Sequence, residues 1–180
     1  GRTGIYPGTD LLKEWPDGGP PEIMRVGNIG NGFVSPVFTD DRFYISGEVD
    51  SMSVLFCFDL KGQKQWQTVL GREWTRSCPG SRSAPTIAGD LLYIGNGFGN
   101  LYCVKCADGE VVWSKDLEKD FMAKLPLHGH SAAPLVDGDK VYWMPGGKDF
   151  NMVALNRFNG NLIWSNKGFG EVEAYNSPKL

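Results

Sequence analysis

No stretch of the sequence approaches the ~18 consecutive apolar residues of a transmembrane helix. Residues 1–25 lack the charged-then-apolar order of a secretory leader, and Gly1 is not an initiator Met, so that lack says little about the full gene product. Charge of one sign is missing too: 18 basic against 21 acidic residues leave a net −3. No Lys/Arg run is available to displace counterions, which argues against a nucleic-acid binder or an anionic-membrane binder. Metal chemistry has little material. The four cysteines include no adjacent pair, and beside Cys103-Val104-Lys105-Cys106 there is no second Cys-x-x-Cys or His pair at zinc spacing. Residues three apart on a strand point to opposite faces, so Cys103 and Cys106 cannot share one ion unless the strand ends between them. Helical periodicity is also absent, because no window holds an apolar stripe at i, i+3, i+4 and i+7 for three turns. With 41% hydrophobic and 22% charged residues, disorder is excluded.

Glycine and aromatics fill the space these absences leave. Gly contributes 24 of 180 residues, nearly twice the usual ~7%, and six Trp stand among the aromatics. Much glycine beside much aromatic points to short strands joined by tight turns. The landmarks repeat: Ser-(Ala)-Pro segments end at Pro36, Pro85, Pro134 and Pro178, and tryptophans follow at Trp66, Trp113 and Trp164. Within the second unit, strands are expected at Pro85 to Ala88, Leu91 to Gly95, Leu101 to Lys105 and Val111 to Lys115, separated by Gly89-Asp90, Gly97 to Asn100 and Asp108-Gly109. The third unit repeats this at Leu135-Val136, Lys140 to Met144, Asn151 to Asn156 and Leu162 to Ser165. Gly-containing turns supply positive φ, and Val, Ile, Tyr and Trp suit a pleated, half-buried surface. Four antiparallel strands per repeat of this length is a propeller blade. The expectation is an all-β fold, a partial β-propeller divided as 1–30 (lead-in strap and closing strand), 31–71, 81–119 and 129–170 (three blades), and 175–180 (the opening of a fourth).

The repeat resembles that of the quinoprotein-dehydrogenase-like (PQQ-like) propellers, with a tryptophan-docking pattern Ala-x-Asp-x-x-x-Gly-x-x-x-Trp. Ala154, Asn156, Gly160 and Trp164 fill it in the third unit, and Cys103, Lys105, Gly109 and Trp113 in the second. The first, Cys57 to Trp66 with Asp59 and Gly62, is one residue short. The pattern implies packing between blades, each indole lying on backbone that Gly leaves bare and on a small residue of the neighbouring blade. Cys57 and Cys103 stand in the small-residue column. Cys78 and Cys106 are close to a bridging option in an oxidising compartment, but free thiols are the simpler reading and pairing stays open. Propellers of this family close with eight blades, so the resemblance implies the N-terminal half of a longer ring. Pro21 to Val26 then reads as a closing strand with Met24 in the Trp position, and the remaining half would come from further chain, another chain or a symmetry mate. A self-sufficient four-bladed solenoid is the alternative.

Two functions follow from the resemblance. One is a non-enzymatic binding or scaffold module of the bacterial cell envelope, periplasmic or extracellular, with no cofactor and no catalytic residue. The other is half of a dehydrogenase oxidising alcohols or sugars, with pyrroloquinoline quinone and Ca²⁺ on the axis. The only carboxylates near one another in that region are Glu171 and Glu173, beside Asn176. Residues just before each innermost strand should gather at the axis: Phe33-Val34, Ser81-Arg82, His130-Ser131 and Tyr175-Asn176. The long connections Gly71 to Gly80, with Glu73, and Leu117 to Gly129, with Lys124 and His128, feed the same rim. Trp74, Arg76, Arg82, His130, Tyr175 and Asn176 form the expected rim site. Arg forks and flat aromatic faces suit a small anionic or carbohydrate ligand, although Arg82 is equally suited to binding loop carbonyls. Gly146-Gly147-Lys148 is read as a hairpin turn, since no helix follows as a phosphate loop requires.

Overall fold

The computed structural model describes residues 12–173 and 175–179. The lead-in residues Gly4 to Pro7 and the final Leu180 lie outside the described residues. Among the described residues, twelve strands form three four-stranded antiparallel sheets. The first holds β1 (Val37–Phe38), β2 (Arg42–Val49), β3 (Met52–Asp59) and β4 (Lys64–Arg72). The second holds β5 (Thr86–Ala88), β6 (Leu91–Gly95), β7 (Leu101–Lys105) and β8 (Val111–Lys115). In the third are β9 (Leu135–Asp137), β10 (Lys140–Trp143), β11 (Met152–Asn156) and β12 (Leu162–Asn166). Each sheet runs in simple sequence order, the meander of a propeller blade, and the all-β expectation holds strand by strand in the second and third units.

One cross-strand row recurs in all three blades. Tyr44, Cys57 and Trp66 stand opposite one another, as do Tyr93, Cys103 and Trp113, and Tyr142, Ala154 and Trp164. The small central residue leaves room for the two rings, whose centroids are 5.7, 6.0 and 6.2 Å apart. Directly after each small residue the ladder shifts register, at Cys57/Phe58, Cys103/Val104 and Ala154/Leu155. Such a bulge bends and twists the outer strand that carries the Trp. The row corrects one expectation: the small residue faces the indole within its own sheet, because the strand pair rather than the blade pair sets their distance.

Between blades, the bare glycine does what the pattern implied. A Cβ on Gly109 would lie 2.6 Å from Trp66, and one on Gly160 2.9 Å from Trp113. Gly62 meets Met24 at 3.0 Å and Val26 at 3.2 Å in the same manner. The apolar cores sit between the sheets: one joins Tyr44, Leu55 and Leu70 to Leu92 and Ile94, another joins Tyr93, Leu101 and Trp113 to Val141, Trp143 and Val153.

Pro21 to Val26 pairs with no described strand, and Met24 and Val26 pack against the outer face of the first blade. A short helix, α1 (Leu117–Phe121), also interrupts the all-β chain. Asp116 caps it by accepting the Glu118 and Lys119 amides at 3.1 and 2.9 Å, and Met122 ends it in the left-handed region. Its buried Leu117 and Phe121 fasten the long connection to the core between the second and third blades. Gly146 lies in the β10–β11 connection and bridges to Val172. Among the described residues, no helix is long and apolar enough to cross a membrane.

Candidate functional site

The axial rim is assembled from three connections, and a buried carboxylate anchors the first. Glu73, 1% exposed, accepts the amides of Trp74 at 2.8 Å and Gly97 at 2.6 Å through Oε1. That ties the β4–β5 connection to the β6–β7 hairpin of the next blade. Burial raises its pKa, while the two amides pull it back down. Trp74 follows into the core, over glycines that leave it room: a Cβ on Gly97 or Gly129 would come within 2.5 or 2.7 Å of it. Arg76 stacks outside on the Trp74 ring at 5.2 Å.

Arg82 holds the other end of the same loop. Its guanidinium donates to the carbonyls of Ser77, Cys78 and His128, joining two connections through one planar fork. Ser77 Oγ accepts Trp74 Nε1–H at 3.3 Å and lies 3.2 Å from His128 Nδ1. The His128 amide donates to the Tyr175 hydroxyl at 3.2 Å, which brings in the third connection. Beside this clamp, a cavity of about 390 Å³ is lined by Phe33 to Val37, Arg82 and Ala84.

The structure therefore brings Trp74, Arg76, Arg82 and Tyr175 to one cluster. Asn176 lies next to Tyr175 and is exposed. His130 is placed elsewhere: it is fully buried, stacks on Trp143 at 4.4 Å, and its Nε2–H donates to the Met144 carbonyl at 3.2 Å. Desolvation pulls its pKa down to about 4, so the ring is neutral near pH 7. Glu173, 4% exposed, is likewise buried, and desolvation pushes its carboxyl up to about 7. All four cysteines are free thiols, with Cys57 and Cys103 buried in the inter-blade packing.

Sequence reasoning missed three participants. The Tyr44, Tyr93 and Tyr142 row has a plain signal, since the three tyrosines recur in step with Pro36, Pro85 and Pro134. The sequence places Glu73 on a rim loop without a role and Glu173 beside Glu171, and no local pattern distinguishes a buried Glu from a solvated one. Oε1 of Glu73 is occupied by two amides, whereas both carboxylate oxygens of Glu173 are buried with no hydrogen-bond partner among the described residues. Among the described residues, no three His, Cys, Asp or Glu side chains converge.

Comparison with known proteins agrees with the propeller fold. The quinohemoprotein alcohol dehydrogenase of Comamonas testosteroni superposes on 77% of this chain and 22% of its own length, with a TM-score of 0.57 and 20% identity. A europium-containing methanol dehydrogenase matches 72% of this chain and 23% of its own, with a TM-score of 0.52 and 18% identity. BamB of Moraxella catarrhalis matches 71% of this chain and 33% of its own at 23% identity, with a TM-score of 0.49. At these identities the two dehydrogenases speak for the propeller fold alone, and the chain spans a third or less of each of the three proteins. No curated protein matches the sequence. A family profile described as outer membrane protein assembly factor BamB matches residues 27–177, most of the chain and all three blades, and to that family the chain belongs.

Proposed function

We propose that this chain is part of a non-enzymatic scaffold of the bacterial cell envelope, a propeller segment that binds protein partners during outer-membrane protein assembly. The observation that supports this reading is the use made of the polar rim residues. Arg82 uses its fork on three loop carbonyls, Trp74 is buried, and His130 is buried against the Trp143 ring. These side chains stiffen the rim and leave apolar groups outward: Phe33, Leu127 and Tyr175 are 68, 80 and 43% exposed. Rigid loops carrying exposed apolar side chains form a protein-binding surface rather than a small-molecule cage. Of the residues expected to take an anionic or carbohydrate ligand, Arg76 keeps an exposed guanidinium, stacked on Trp74.

The test uses the full-length protein. Supplied with pyrroloquinoline quinone and Ca²⁺, it should give no dye-linked oxidation of alcohols or sugars, and deletion of its gene should lower the amount of folded outer-membrane protein. Turnover with the quinone overturns the reading, as does an unchanged outer membrane.

A further inference from the structure

A second cavity, of about 190 Å³, shares no lining residue with the one beside Arg82. Its lining comes from Arg72 at the end of β4, from Phe98 and Asn100 in the β6–β7 turn, and from Asp116, Glu118 and Leu125 in the connection that holds α1. Hydrogen bonds fix these three pieces to one another. Asn96, 1% exposed, donates through Nδ2 to the Leu70 and Arg72 carbonyls at 3.0 and 3.2 Å, and its Oδ1 accepts the Phe98 and Asn100 amides at 3.1 and 3.0 Å. One side chain thus sets the end of the first blade against the turn of the second. Asn100 Oδ1 accepts the Leu117 amide at 3.3 Å, which ties the α1 connection to the same turn.

Opposite charges line this cavity without meeting. The Arg72 guanidinium lies over the Phe98 ring at 5.3 Å. Among the described residues it pairs with no carboxylate, and the Glu118 carboxylate pairs with no cation. Asp116 keeps a 3.8 Å contact with Lys119, while its Oδ1 accepts two amides of α1. A cation and an anion held on separate, fixed segments can each bind a charge of a ligand that carries both. Phe98 and Leu125, both half-buried, supply an apolar surface beside them. The volume lies below the ~300–1,000 Å³ usual for cofactor and drug-sized ligands, so the occupant is small.

We infer that this cavity binds a small zwitterion, an α-amino acid with an apolar side chain. Arg72 takes the carboxylate, Glu118 with Asp116 takes the ammonium, and Phe98 and Leu125 receive the side chain. The site uses none of Phe33, Leu127 and Tyr175, so it stands or falls independently of the scaffold reading above.

The test is an NMR titration of the full-length protein with L-leucine, read at the Leu125 methyls and the Phe98 ring. Leucinamide, which lacks the carboxylate, and N-acetyl-leucine, which lacks the ammonium, serve as half-ligands. The expected result is saturable shifts at both residues with L-leucine, and affinity weaker by about tenfold or more for either half-ligand, the loss of one charge-assisted contact. Arg72→Gln should weaken L-leucine by about tenfold and leave leucinamide unchanged, whereas Glu118→Gln should weaken L-leucine and leave N-acetyl-leucine unchanged. Both side chains are exposed, so the melting temperature should not move. Absence of saturable shifts overturns the site, as does equal affinity for all three compounds. Binding of L-leucine that survives both substitutions overturns the assignment of Arg72 and Glu118.

Discussion

A single methyl group at residue 109 meets Thr68 Oγ1 at 2.5 Å and the Trp66 ring at 2.6 Å, on a backbone at φ +79°. Gly109→Ala should therefore cost ~1–3 kcal/mol from overpacking, in addition to ~1 kcal/mol of left-handed strain. Gly89→Ala, at φ +60° with open space around it, should show only the strain. Urea denaturation of the two variants separates the joint from the turn. A second residue-scale test concerns Glu173 and His130. Glu173 titrates at about 7 in the folded chain against 4.5 for a free Glu, so the folded state binds the proton more tightly. Its contribution is fully present below pH 4.5 and is lost as pH rises to about 7. For His130, depressed from 6.5 to about 4, the sign is opposite: stability is present above pH 6.5 and is lost as pH falls toward 4. Glu173→Gln should flatten the loss on the rising side and leave the acid side intact, as thermal melts across pH 4 to 8 would show.

Among the elements, the strands were legible because turn chemistry brackets them. Gly89-Asp90 and Asp108-Gly109 in the second blade, and Gly138-Asp139 and Asn159-Gly160 in the third, fall between the strands that the structure shows. The helix α1 was not legible, since five residues cannot display a periodic stripe; it is held by Asp116 and two buried side chains. Asp116→Ala should cost ~1 kcal/mol, with faster amide exchange confined to residues near 117–122. The rim was legible in position but not in role. Chain order alone brings Trp74, Arg82 and Tyr175 together, but whether an Arg fork meets a ligand or a carbonyl depends on loop conformations that spacing does not encode. Arg82→Lys replaces a planar fork with a point charge, and should speed exchange in residues 74–82 and 126–130 while leaving β6 and β7 protected. Unchanged exchange would remove the clamp from the account of the rim.

For the molecule as a whole, the cores lie between sheets, so each blade is stable through its neighbour. In the 180-residue chain, Trp113→Ala should cost ~3–5 kcal/mol, as large buried aromatics do. Trp164→Ala in the same chain should cost much less, because the ring is 39% exposed. Equal losses in a denaturation series would show that the two indoles do not differ in packing.

The two joints between blades, where Trp66 covers Gly109 and Trp113 covers Gly160, have a consequence for how such a protein can vary. Cys106 and Arg157 have nothing in common as side chains, yet each offers its peptide oxygen to a Tyr and a Trp. Selection acting on these hinge points has no grip on the acceptor's identity and acts only on the rings and the glycine. Thiol, guanidinium or any other side chain can take that turn position without loosening the seam, so divergent relatives can keep their seams while their turn residues drift.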